Sequence, residues 1–145
     1  MEILIKPWKE AQTAAFLVRQ EVFIYEQGVP AKLELDEYDL LATHALAYLD
    51  GHCIGTGRLV GLGDGQAQIG RMAVLAQFRG MGIGTQILEK LVRLASSQGV
   101  KLIILHSQLT AIPFYEKQGF QAQGSIYEEA GIPHRNMILL LPNAI

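Results

Sequence analysis

Gly70 to Gln98, GRMAVLAQFRGMGIGTQILEKLVRLASSQ, reads as a strand, a turn and a helix in direct succession. Ala67 to Val74 carries apolar and β-branched residues and predicts the strand. The turn is Arg79-Gly80-Met81-Gly82-Ile83-Gly84-Thr85. From about Gly82 to Gln98 the apolar residues Ile83, Ile87, Leu88, Leu91, Val92, Leu94 and Ala95 recur near a period of 3.6, and Gly99 stops the helix. The first turn of a helix has unbonded N–H groups and a partial positive charge. Alternating glycines there let the backbone come close to an anion, so the stretch predicts a phosphate cradle with Arg79 as a fixed charge beside it. No Lys-Ser/Thr follows the last glycine, which excludes a P-loop, and R-G-x-G-x-G is not the G-x-G-x-x-G spacing of a dinucleotide fold.

The rest of the chain builds around this unit. Glu2 to Lys6 alternates as a strand, and Pro7 suits the start of a helix over Trp8 to Gln27, in one piece or two, with Ala15, Phe16, Val22 and Phe23 inward. Gly28 and Pro30 stop it. Ala31 to Leu41 is rich in acid (Glu34, Asp36, Glu37, Asp39) and reads as a loop, either a solvated face or a rim that attracts a cationic amine. Thr43 to Leu49 and His52 to Val60 form a hairpin about Asp50-Gly51, and Ala67 to Val74 completes a meander. Lys101 to Leu105 reads as a buried, parallel-type strand, and Ala111 to Gln118 as a short helix capped by Thr110. Phe120 to Tyr127 and Arg135 to Leu141 are the last strands. The order is βααβββαβαββ, a mixed α/β sandwich with a mostly antiparallel sheet.

Composition bounds the function. A chain of 145 residues, half hydrophobic and 18% charged, is expected to be one globular domain over residues 1–145. A net charge of −2 gives no electrostatic case for nucleic acid or an anionic membrane. The lone Cys53 fits a reducing compartment, and no 18-residue apolar run or signal-like leader occurs, so a cytoplasmic location is expected. Four scattered histidines and one cysteine show no metal-ligand spacing.

Arg79-Gly80-Met81-Gly82-Ile83-Gly84 resembles the acetyl-CoA pyrophosphate loop of the GNAT acetyltransferase superfamily. Gln108-Leu109-Thr110-Ala111-Ile112-Pro113-Phe114-Tyr115-Glu116-Lys117-Gln118-Gly119-Phe120 resembles that superfamily's AxxFYEKxGF segment. Arg19-Gln20-Glu21-Val22-Phe23, Glu26-Gln27, Thr43-His44, Gly57-Arg58-Leu59, Ile69 to Val74 and Gly131-Ile132-Pro133-His134 resemble its ElaA/YjcF-like branch. The resemblance implies the GNAT fold, a seven-stranded, mostly antiparallel sheet with helices on both faces and central strands that splay apart around acetyl-CoA. It assigns the thioester and pantetheine to the backbone of Met72, Ala73 and Val74. The pyrophosphate goes to Arg79, Gly80, Met81, Gly82, Ile83, Gly84 and Thr85. Gln108, where many members have asparagine, Phe114 and Tyr115 complete the acetyl-CoA site. Ala76 stands where members often have proline.

The implied reaction is acetyl transfer to a primary amine by direct attack in a ternary complex. The rival readings are a transferase for another acyl-CoA and a non-catalytic acyl-CoA-binding module. Neutralising a lysine-like ammonium at pH 7 costs about 4 to 5 kcal/mol, the oxyanion needs donors and the thiolate needs a proton. The resemblance makes Tyr115 the general acid. Glu26 and His44 are the candidate bases, with His106 and His134 as further histidines near the acceptor. Gln27 adjoins Glu26 on the acceptor side. Arg58 and Arg71 either clamp an acidic group of the acceptor or pair with Glu21, Glu26 or Asp36. Small-molecule and peptide amines both remain open as acceptors, and the apolar strand ending Leu139-Leu140-Leu141 is a candidate edge for a homodimer.

Overall fold

The computed structural model describes residues 1–142. Seven strands form one sheet: β1 (Glu2–Pro7), β2 (Thr43–Leu49), β3 (His52–Gly63), β4 (Gln66–Val74), β5 (Leu102–Gln108), β6 (Gln121–Glu129) and β7 (Ile132–Leu140). Their spatial order is β1-β2-β3-β4-β5-β7-β6, and only the β4–β5 pair is parallel. The helices are α1 (Trp8–Arg19), continued without a break by a π-helical segment over Gln20–Glu26, then α2 (Ala31–Glu34), α3 (Ile83–Ser97) and α4 (Ile112–Glu116). The helix expected over Trp8 to Gln27, in one piece or two, is one continuous helix from Trp8 to Glu26 that changes its winding at Gln20.

The alternation of β2 shows how the sheet is sandwiched. Ala45 and Ala47 pack with α3 through Ile87, Leu88 and Leu91, all buried. Leu46, one residue between them, packs with Ala11 and Ala15 of α1 on the other face. Gly57 on β3 lets α3 sit close, because a Cβ there would lie 2.5 Å from Met72 Sδ and 3.1 Å from Ile87 Cγ2.

The parallel pairing of β4 with β5 runs from Gln66–Leu102 to Ile69–Leu105 and stops. Beyond it, β4 stays with β3 up to the pair Gly55–Val74, while β5 follows β7 to the pair Gln108–His134. The two central strands diverge in this way and open a gap in the middle of the sheet.

Two expectations are corrected. The C-terminal strand β7 is not an outer edge: it lies between β5 and β6, and β1 and β6 are the edge strands. The acidic stretch is not an open loop either. It forms α2 and a 3₁₀ turn over Glu37–Leu40, the Asp36 carboxylate accepts from Tyr38 N–H, and Glu34 and Asp39 are buried.

Candidate active site

The gap between β4 and β5 continues into a cleft of about 830 Å³. Met72, Ala73, Val74 and Arg79 line it from one side and Gln108 and Tyr115 from the other. On β4, Thr56 pairs with Ala73 and Arg58 with Gly70, so Arg71 and Met72 together oppose Gly57. This is a β-bulge, and it places Arg71 at φ 51°, a left-handed conformation that a non-glycine residue adopts at a cost. No sequence signal marks the bulge.

The glycines after Arg79 have two different uses. Gly80 and Gly82 have φ of +79° and +77°, and Gly82 is the N-cap of α3, which no side chain caps. The first-turn amides therefore stay available to an anion. Gly84 has ordinary backbone angles, and its Cβ would lie 3.4 Å from Phe114 Cζ. Its role is to admit the Phe114 ring, which packs edge-on to Tyr115 at 5.0 Å, so Phe114 serves the core rather than the cleft. Ile83 is likewise buried in the core, while Met81 is exposed and Thr85 half-buried. The turn before the glycines closes with Ala76 in place of proline, through Phe78 N–H donating to Leu75 O at 2.9 Å.

Tyr115 is buried and borders the cleft, and burial pushes its pKa up, so the hydroxyl is protonated at neutral pH. Gln108 exchanges amide hydrogen bonds with Gln27, whose Oε1 accepts from Gln108 Nε2 at 2.8 Å. This pair ties the end of the π-helical segment to β5 across the cleft.

The two residues expected to accept a proton are engaged elsewhere. Glu26 holds Arg79 in a bidentate pair, with Nη1–Oε2 at 2.6 Å and Nη2–Oε1 at 2.8 Å. The hydrogen bonds from Arg79 keep its carboxyl below the usual range, which makes it a weak base. Arg79 also donates from Nε to Val74 O at 2.9 Å. His44 lies buried beneath Trp8, ring centroids 4.9 Å apart, with Nε2 2.9 Å from Asp39 O. Burial lowers its pKa, and it does not line the cleft.

Arg58 and Arg71 line the cleft but are paired. Arg58 binds both oxygens of Asp36, at 2.7 and 2.9 Å, and Asp39 Oδ1 at 2.9 Å. Arg71 donates to Asp36 Oδ2 at 3.1 Å and to the carbonyls of Leu33 and Glu34. Of the three partners expected, only Asp36 is used. Behind them, fully buried Arg19 binds Glu34 and both oxygens of Asp39. Its role was not foreseen, although an arginine between Val18 of α1 and Val22 of the π-helical segment, both on the apolar stripe, was a signal. Burial alone would raise the carboxyls of Asp36 and Asp39, but the arginine hydrogen bonds and charges outweigh it and hold both below their ordinary range.

His106, Glu129 and His134 form a second polar group that lines the cleft from β5, β6 and β7. Glu129 went unnoticed in the sequence, and nothing marked it as the partner of two histidines 23 and 5 residues away. Cys53 packs half-buried with Sγ 3.5 Å from Gly55 O, and burial raises its pKa, which disfavours the thiolate.

A gap between splayed central strands, with an uncapped glycine-flanked helix start at one side and a protonated tyrosine at the other, defines an acyltransferase site. The chain belongs to the GNAT acetyltransferase family, whose acetyltransferase (GNAT) domain matches residues 9–141 and whose members take acyl-CoA as co-substrate. Within that family it belongs to the ElaA/YjcF-like branch. It is 36% identical over 139 residues to the uncharacterized N-acetyltransferase YjcF of Bacillus subtilis (strain 168), covering 95% of this chain and 99% of that protein. The crystal structure of Escherichia coli ElaA superposes with a TM-score of 0.86 at 26% identity, over 95% of this chain and 99% of that one. An acyl-CoA N-acyltransferase from Pseudomonas aeruginosa does so with a TM-score of 0.84 at 28% identity, over the same shares of the two chains.

Proposed function

We propose that residues 1–145 act as one acetyltransferase domain, which moves the acetyl group of acetyl-CoA to a primary amine by direct attack in a ternary complex. The observation that carries this reading is the end of β4–β5 pairing at Ile69–Leu105. It frees the β4 backbone at Met72 to Val74 for the pantetheine and thioester, in line with the uncapped start of α3 for the pyrophosphate. Tyr115, kept protonated by burial, is the donor to the leaving thiolate. The acceptor enters past Gln27, Arg71 and His134, a route open to a small amine or a peptide amine.

Calorimetric titration with acetyl-CoA, with free CoA and ATP as comparators, tests the reading. Micromolar binding of both CoA forms, weakened about five- to thirtyfold in Gly82→Val, is expected, because valine resists the left-handed backbone by about 1 to 2 kcal/mol. Failure of acetyl-CoA to bind the wild-type chain overturns it. Tyr115→Phe should keep the acetyl-CoA affinity and lose turnover by about 100-fold or more, measured as release of CoA thiol.

A further inference from the structure

The amine must lose a proton before it attacks, and neither Glu26 nor His44 is placed to take it. The sheet itself supplies another group. Along β5, His106 and Gln108 share the cleft face, while Leu105 and Ser107 are buried on the opposite one. On β7, His134 stands opposite Gln108 and Asn136 opposite His106. On β6, Tyr127 stands opposite His134, and Glu129 opposite Ile132. Register alone therefore gathers His106, His134, Tyr127 and Glu129 on one face, at the end of the sheet where β4 and β5 have parted.

Glu129 lies between the two imidazoles. Its Oε1 is 3.0 Å from His106 Nδ1, and its Oε2 is 3.7 Å from His134 Nε2. His134 Nδ1 is 2.6 Å from Ile132 O. The Tyr127 ring meets His106 edge-on at 5.9 Å and stacks on His134 at 6.1 Å, and its hydroxyl is held by Asn136. A carboxylate only accepts, so His106 carries its hydrogen on Nδ1 and the lone pair on Nε2. No described residue hydrogen-bonds Nε2, and the His106 side chain is 34% exposed where it lines the cleft. An imidazole held in one tautomer by a carboxylate is the arrangement that makes histidine a general base.

We propose that His106 is the proton acceptor of the acyl transfer, with Glu129 and His134 as the residues that position it. The proposal rests on the acetyltransferase reading above and adds the residue that activates the acceptor. The ammonium gives one proton to His106 Nε2, and the neutral nitrogen forms its bond to the thioester carbonyl carbon. The carbon–sulfur bond then breaks, and the thiolate takes the Tyr115 proton. The nitrogen gives up its second proton, which restores Tyr115 through solvent, and His106 releases the first. Ammonium and thioester become amide and thiol, with one proton released. The titratable groups that face His106 are Glu129 and Tyr127 from β6 and His134 from β7. Arg58, Arg71, Glu34 and Asp36 line the same cleft from the β3–β4 side.

Long-range ¹H–¹⁵N NMR of the full chain at mildly alkaline pH reads the tautomer directly. His106 protonated on Nδ1 in the wild type, and a mixture of tautomers in Glu129→Gln, is the expected result; His106 protonated on Nε2 in the wild type overturns the proposal. Kinetics test the role itself, with spermidine, glucosamine and a lysyl peptide as acceptors and CoA thiol release as the signal. If none of the three is acetylated, water serves as the acceptor, through hydrolysis of acetyl-CoA. His106→Gln should lower kcat/KM for the acceptor by about 100-fold or more and abolish the acidic limb of its pH profile. Glu129→Gln should lower it less, and Glu129→Asp should recover part of the loss. Unchanged rate and an unchanged acidic limb in His106→Gln overturn the proposal. Calorimetry on the same variants separates the two readings. Acetyl-CoA that binds wild type and His106→Gln alike leaves the acetyltransferase reading intact whatever His106 does, and acetyl-CoA that binds neither removes it.

Discussion

The two polar walls of the cleft are built from similar residues and behave in opposite ways. On the β3–β4 side, Arg19, Arg58 and Arg71 meet Glu34, Asp36 and Asp39, three cations against three carboxylates. Glu34 Oε2 is the one buried polar side-chain atom left without a hydrogen-bond partner among the described residues. On the β5–β7–β6 side, one carboxylate serves two imidazoles, and both Glu129 and His106 remain partly exposed. Burial explains the contrast. A charge taken out of water must be paired with good geometry, and once paired it holds chain segments together and has little left for a ligand. A half-exposed histidine keeps a nitrogen for chemistry.

The sharpest way to break the contrast is to open the buried wall. Asp39→Ala removes the buried carboxylate that joins Arg19 and Arg58 and leaves each with one carboxylate partner, Glu34 and Asp36 respectively, so urea unfolding should show a loss of about 3 to 5 kcal/mol. Glu129→Gln, its counterpart on the other wall, should stay within about 0.5 kcal/mol of wild type in the same assay. Equal losses would erase the distinction between the walls.

Acid probes the same contrast with no mutation. The carboxyls of Asp36 and Asp39 sit below their ordinary values in the folded chain, so the unfolded chain binds more protons in the window between. Their contribution is fully present above the unfolded carboxylate range and is lost as pH falls through the folded values. Thermal melts should therefore decline gently below about pH 6.5, where buried His44 resists charging, and steeply below about pH 4, and Asp36→Asn should flatten the steep part. The smallest effect belongs to the exposed Glu26–Arg79 pair. Glu26→Gln should change stability by under about 0.5 kcal/mol. It should tighten acetyl-CoA binding severalfold by calorimetry, because Arg79 no longer has a carboxylate to leave.

Elements were legible where a period or a punctuation residue declared them. The 3.6-residue stripe of α3, the Asp50-Gly51 hairpin and the glycine turn are local signals, and each element stands where it was expected within a few residues. Partnerships were legible only in part, because they join residues far apart in sequence. Asp36 stood among the three carboxylates offered to Arg58 and Arg71, but Arg19 and Asp39, 20 residues apart, carried no such signal, so the sequence displays an acidic run and leaves open what lies beneath it. The interior place of β7 and the union of His106 with Glu129 both follow from the order β5-β7-β6, which no single strand encodes. The Arg71 bulge escaped for a related reason: it is a mismatch in length between β3 and β4, visible only when the two are paired.

The π-helical winding of Gln20–Glu26 has a consequence for how this chain can vary over evolutionary time. A π turn holds more residues than an α turn, so losing one residue from this segment would let it relax to ordinary α winding. The lost residue and the tighter winding of those that remain nearly cancel, so everything downstream would keep almost the same facing relative to α1. Glu26 and Gln27 lie at the far end of the segment, where they meet Arg79 and Gln108. A single-codon deletion there would leave both contacts near the cleft, whereas a deletion inside α1, which has no surplus residue to give up, would turn them by roughly 100°. Gln20–Glu26 is therefore the part of this helix where a change in length is easiest to accommodate.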